Sequence, residues 1–301
     1  MREKGLLGGP WSKWNFERAI DDMDRDAVAT SVASVTAPGV WFESDEQARS
    51  LARECNEYMA EIAADYPGRL GLFAALPMPD IDGSLREIEY ALDVLKADGI
   101  GMFTSYGNRW LGDTAHTPIL RELNRRSAIL YVHPTAPCSC AGCLPYMRDS
   151  VIEYGTDTTR AIASLVFGGA STRYSSLRVI FSHGGGTMPY LIERFFQQKR
   201  AQELSPGNFP TQISTEEMAR LDPLREVQRF YYDVAQSTHV APLCALVHVV
   251  PTSRIVFGTD YPYRTAADHA SGLRNSGLFN VEALRAIEYG NARDLLPRFA
   301  R

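Results

Sequence analysis

Three side chains able to hold a metal ion each close a short apolar run. AILYVHP carries His133, LRVIFSHGG carries His183 and SRIVFGTD carries Asp260. Neutral imidazole and carboxylate are ordinary ligands for divalent ions, and an ion held by a few protein groups keeps positions open for water or a substrate oxygen. Singly, each residue has a plainer alternative. A histidine before Pro134 can be hydrogen-bonded structure. Asp260 before Tyr261-Pro262 can cap a helix. His183 before Gly184, Gly185 and Gly186 can mark a tight strand-to-helix turn. Jointly they say more, because the C-terminal ends of parallel barrel strands all face one mouth, where such folds keep their chemistry. The glycines would also let the backbone adopt positive φ and approach a ligand. A helix predicted from Thr187, TMPYLIERFFQQKR, would aim its positive end at the same pocket. Asp233, inside FYYDVAQ, is a weaker candidate that would orient a ligand from behind. His116, His239, His248 and His269 lack such punctuation and read as structural or solvated.

The elements that must position these residues recur along the chain. Strand-like runs fall at 26–35, 69–77, 99–105, 128–134, 177–185, 229–236 and 253–260. Amphipathic segments lie between them, such as 44–67, followed by Pro67, and 84–99, with Gly99 as its stop. Strands alternating with helices predict parallel βαβ units. The runs number seven, one short of a (β/α)8 barrel, and the chain opens in helix-like sequence at 15–26 that should follow a first strand. The expectation is an α/β fold: a distorted (β/α)8 TIM barrel whose first strand is missing from this chain, forming one domain over 1–301 with a loop insertion at 203–214. A doubly wound sheet would need a glycine-rich phosphate loop after its first strand, and SVTAPGVWF is not one.

Bulk properties narrow the partners. With 301 residues, 45% of them hydrophobic, the chain can bury a large core. A net charge of −5 argues against nucleic acid. No apolar run is long enough to span a membrane, and MREKGLLGGPW lacks the apolar stretch of a secretory signal, so a cytoplasmic location is expected. Five cysteines without an export signal read as reduced thiols. Cys138, Cys140 and Cys143 could form a zinc knuckle but lack an evident fourth ligand, and a loop with free thiols is the plainer reading. Trp41, Tyr106 and Arg109 follow strand-like runs and could line a pocket.

VHP, SHGGG and GTDYP occur in the order and at roughly the spacing of the aminocarboxymuconate-semialdehyde decarboxylase-like group of the amidohydrolase superfamily, which the sequence resembles over nearly its whole length. SVTAPGVWF, ARECNEYMAEI, YALDVLKADGI and DTTRAIASLVF resemble the branch containing 6-methylsalicylate decarboxylases. The resemblance implies one divalent ion, zinc or manganese, with His133 and Asp260 as ligands and His183 beside it as acid/base. It implies that Arg194, in the helix after HGGG, binds the carboxylate of a small carboxylic acid substrate across a homodimer. The group opens with a strand ending His-x-His, or a Glu variant, and REKGLLGGP resembles the stretch just after it. Metal binding by the chain as given is therefore expected to be weak. The expected activity is metal-dependent, non-oxidative decarboxylation of a hydroxy-aromatic or unsaturated acid, with Asp260 and His183 handling the proton. Hydrolysis or hydration by the same ligands, or a non-catalytic role, are the alternatives.

Overall fold

A computed structural model describes residues 14–137, 139–205 and 212–299. Nine strands appear in it: β1 (Ser31–Ser34), β2 (Leu70–Ala75), β3 (Gly99–Phe103), β4 (Ser105–Tyr106), β5 (Arg109–Trp110), β6 (Ile129–His133), β7 (Arg178–Phe181), β8 (Tyr231–Asp233) and β9 (Ile255–Val256). Seven of them form one sheet in the order β1-β2-β3-β6-β7-β8-β9, with every pairing parallel. Each falls inside a run read from the sequence. The antiparallel pair β4-β5 was not anticipated; it is a small hairpin standing on the end of β3.

Parallel neighbours need crossover connections, and helices supply them. Phe16–Arg25 precedes β1, Asp45–Asp65 joins β1 to β2, Ile81–Asp93 joins β2 to β3, and Glu153–Phe167 lies between β6 and β7. Ser44 caps the second of these by accepting from Gln47 N, and Asp80 caps the third by accepting from Gly83 N. That third helix ends at Asp93 rather than at Gly99. Lys96 takes the left-handed turn, at φ 58°. Gly99 instead begins β3, where an added Cβ would lie 2.6 Å from the Ile129 carbonyl oxygen.

Side chains alternate between two cores, as strand geometry requires. Leu72, Ile100, Leu130, Val132, Phe181 and Tyr232 pack outward against the helices. Val32, Phe73, Ile129, Tyr131, Ile180, Tyr231 and Val256 point the other way and share one cluster with Leu295. In a flat sheet β2 and β9 would stand about 24 Å apart, five strand spacings. Their membership of one cluster, and the stacking of Phe73 on Tyr131 at 5.2 Å, show that the sheet is curled around an inner core. Its two ends approach each other: Tyr261, after β9, donates to Asp22 at 2.7 Å, and Ala267 N donates to Asp26 at 3.3 Å. Among the described residues β1 and β9 do not pair, and each keeps one free edge. The beginning of the chain, residues 206–211 of the expected insertion, and Cys138 lie outside the described residues.

The glycines after His183 are required by local packing. Gly184, Gly185 and Gly186 have φ of 63°, 74° and 65°. A Cβ on Gly185 would stand 2.7 Å from the Tyr232 ring, and one on Gly186 would stand 2.1 Å from the Gly155 carbonyl oxygen. Gly185 and Gly186 thus closely approach the protein's own Tyr232 ring and Gly155 carbonyl. Gly186→Ala combines left-handed strain with overpacking against backbone, so it should lower the unfolding free energy by roughly 2–4 kcal/mol. Thermal melting followed by circular dichroism checks this; an unchanged midpoint would contradict the packing described.

Candidate active site

His133 is the last residue of β6, and its Nδ1 lies 2.8 Å from the Pro134 carbonyl oxygen. A carbonyl only accepts, so Nδ1 carries the hydrogen and Nε2 presents a lone pair. That Nε2 lies 3.8 Å from Asp260 Oδ1, and His183 Nε2 lies 3.7 Å from Asp260 Oδ2. The two imidazole rings cross at 5.5 Å between centroids. One donor atom from each of the three residues falls within 4.8 Å of the others. The structure thus brings together His133, His183 and Asp260, as their strand-end positions predicted.

Burial sets the protonation of this group. It pushes the His183 imidazole down to about 4, with the nearby His133 adding to the effect. Burial would raise the Asp260 carboxyl, but His133, His183 and a hydrogen bond from Gln236 at 3.1 Å hold it below the usual carboxylate range. At neutral pH, then, electron-pair donors converge. His183 Nε2 is buried without any hydrogen-bond partner. A buried polar atom so placed costs free energy unless something fills the gap, and a divalent cation is what imidazole and carboxylate donors accept.

Backbone strain concentrates here. His183, Gln236 and Asp260, which follow β7, β8 and β9, have φ of 57°, 55° and 55°. Non-glycine residues pay about 1–2 kcal/mol each for that region, and such strain clusters at functional sites. Asp233 holds the turns in place. Fully buried at the end of β8, its carboxylate accepts from His183 N and Ala235 N, each at 2.9 Å, and from the Tyr131 hydroxyl at 2.9 Å. Burial raises its carboxyl pKa against those three hydrogen bonds.

Several contributors escaped the sequence reading. Gln236 holds Asp260, and its own amide donates to His269 Nε2 at 3.0 Å. His269 is therefore buried structure rather than solvated. His116 is likewise buried, with Nδ1 3.0 Å from the Trp110 carbonyl. His239 and His248 are exposed. Thr36, after β1, lies 3.5 Å from His133 Nε2, and the Tyr154 ring meets His133 edge-on at 6.0 Å. Fully buried Asp157 accepts from Thr104 (2.5 Å), Ser105 (2.8 Å) and Trp110 (2.6 Å), and so fixes the hairpin that carries Tyr106. Asp157, Thr36 and Gln236 lie in segments quoted above, DTTRAIASLVF, SVTAPGVWF and FYYDVAQ, but only the fold reveals their contacts.

A cleft beside His133 is lined by Val35, Val40, Met102, Phe103, Tyr106 and Tyr131. Tyr106 thus lines a pocket as expected. Trp41 is 39% exposed and donates to Asp45, and Arg109 is exposed. Arg194 lies on the exposed side of the helix Met188–Leu204, outside the cluster formed by the other three. Thr187 precedes that helix without a side-chain cap, and its backbone amide donates to the Gly155 carbonyl and the Thr159 hydroxyl. Among the described residues only His133, His183 and Asp260 form a potential metal group; Cys140 and Cys143 are free thiols.

A curled parallel sheet with an imidazole–carboxylate cluster at its C-terminal strand ends defines a barrel-type protein with a candidate metal site. The chain belongs to the amidohydrolase family, whose sequence pattern matches residues 5–298. It is 34% identical to a 6-methylsalicylic acid decarboxylase of Penicillium expansum, over 97% of this chain and 90% of that protein. It is 36% identical to the corresponding Aspergillus aculeatus decarboxylase, over 98% of this chain and 91% of that one. The fold matches the crystal structure of a Rhizobium 2,6-dihydroxybenzoate decarboxylase with a TM-score of 0.82 at 21% identity, covering 98% of this chain and 94% of that one. A Polaromonas dihydroxybenzoic acid decarboxylase with bound manganese matches at 0.80 and 23% identity, covering 99% and 92%.

The buried neutral His183 gives the metal-free protein a pH signature. Its folded pKa lies below that of the unfolded chain, so the unfolded state binds the proton first as pH falls. Stability should decline from pH 6.5, the ordinary histidine value, to about 4 and level off for this group below that. The loss attributable to His183 should be roughly 3 kcal/mol. His116 and His269, also pushed down by burial, act in the same direction. Urea unfolding of the wild type and His183→Gln across this range isolates the contribution; parallel curves would show that His183 is not held neutral.

Proposed function

We propose that this protein is a metal-dependent, non-oxidative decarboxylase of a small hydroxy-aromatic carboxylic acid. The observation that supports it most is the buried, unpartnered Nε2 of His183 facing His133 and Asp260, in a chain over a third identical along 98% of its length to a 6-methylsalicylic acid decarboxylase. The donor set fits a divalent ion, zinc or manganese, held by His133, Asp260 and His183. Bound there, the ion would supply positive charge that fixes the phenolic or carboxylate oxygens of the substrate.

Direct loss of CO2 from an aromatic ring would leave an unstabilised carbanion, so the ring carbon bearing the carboxylate must first be protonated. Its π electrons form the new C–H bond. The C–C bond to the carboxylate then breaks, its electron pair restores the aromatic ring, and CO2 leaves. Solvent supplies the proton: Asp260, beside His183, takes it up and passes it to the ring carbon, and is left ionised again, the state in which His133, His183 and Gln236 hold it. Phe103, Tyr106 and Tyr131, beside His133, offer the ring a packing surface. Arg194, exposed on its helix, binds the substrate carboxylate of a neighbouring subunit in a cytoplasmic homodimer.

Among the described residues β1 and β9 each keep a free edge where a further strand would pair. Three protein ligands alone hold a divalent ion weakly, so metal analysis after dialysis should find well under one ion per chain. Full occupancy would mean that other groups complete the site.

In the metal-loaded form, CO2 should be released from a hydroxybenzoate. His183→Ala should cut turnover roughly 10²–10⁴-fold, far more than it reduces metal content. Arg194→Ala should chiefly raise KM, because it removes binding of the carboxylate rather than proton transfer. Near-normal turnover in His183→Ala, or a substrate panel that yields hydrolysis products without CO2, would replace this reading with a hydrolase.

A further inference from the structure

At the opposite end of the sheet lies a second concavity, of about 210 Å³, at the N-terminal ends of β7, β8 and β9. Four to five residues of strand, roughly 15 Å, separate it from the His183 cluster. Three arginines are among its lining residues, Arg178, Arg229 and Arg254. Arg229 shares its charge with Glu226 at 3.3 Å. The other two have no carboxylate partner among the described residues. Arg178 donates to the carbonyls of Leu295 (3.1 Å) and Ser127 (2.8 Å), and Arg254 lies over the Tyr231 ring at 4.5 Å. Local charge is therefore uncompensated by about two units.

The remaining wall is apolar, from Leu120, Leu165, Leu177, Val179 and Phe230, with Ser171 beside them. We propose that this cavity binds a small organic acid, its carboxylate held by Arg254 and Arg178 and its apolar body against the leucine and phenylalanine wall. Guanidinium groups suit carboxylates through paired hydrogen bonds, and the wall gives an organic anion an advantage that an inorganic one lacks.

The test is calorimetric titration of the metal-free full chain with hexanoate and, separately, inorganic phosphate. One hexanoate should bind per chain, at least about tenfold more tightly than phosphate. Arg254→Gln should weaken hexanoate by about tenfold, the effect of losing one charge-assisted hydrogen bond. Ser171→Leu, which fills the cavity, should abolish binding, whereas His133→Ala at the other end should leave it unchanged. Circular dichroism confirms that each variant is folded. Absence of binding at millimolar hexanoate, equal affinity for phosphate, or binding that survives Ser171→Leu but is lost in His133→Ala would overturn the proposal.

Discussion

The carboxylate of Asp233 joins three strand ends. One oxygen accepts from the amides of His183 and Ala235, and the other from the hydroxyl of Tyr131. Tyr131 lies on β6, two strands away in the sheet order, so this bond exists only because the sheet is curled. A buried carboxylate with three donors is stable in its place, whereas any one of those donors without it would be buried and unpaired. The left-handed turn at His183, and with it the direction of the imidazole, depends on this arrangement.

From that joint the chemistry follows by electrostatics. The pocket is dry enough to keep His183 neutral, yet it keeps Asp260 ionised through His133, His183 and Gln236. A neutral imidazole beside an ionised carboxylate is the state needed both to receive a cation and to pass a proton. The strain at His183, Gln236 and Asp260 is sustained by surrounding hydrogen bonds, including the His269 ring beneath Gln236.

Much of this was legible in the sequence because parallel strands buried on both faces are written as continuous apolar runs. All seven sheet strands fall within such runs, and each polar residue that punctuates one, His133, His183 or Asp260, arrives at the same mouth. Contacts between residues remote in sequence were not legible. Asp157 gathers Thr104, Ser105 and Trp110, and Gln236 holds Asp260, without any spacing that announces it. Gly99 misled as a helix stop because a glycine needed for close strand packing carries the same letter as one needed for a left-handed turn. The β4-β5 hairpin was too short to show a period.

The central claim is that His133, His183 and Asp260 hold one divalent ion. Pulsed electron paramagnetic resonance of the manganese-loaded protein tests it most directly, because it reports imidazole nitrogens bonded to the ion. The account predicts imidazole nitrogen couplings that diminish in His133→Ala and again when His183 is also replaced. Manganese bound without imidazole coupling, or with couplings unaltered in both variants, would place the ion elsewhere and contradict it.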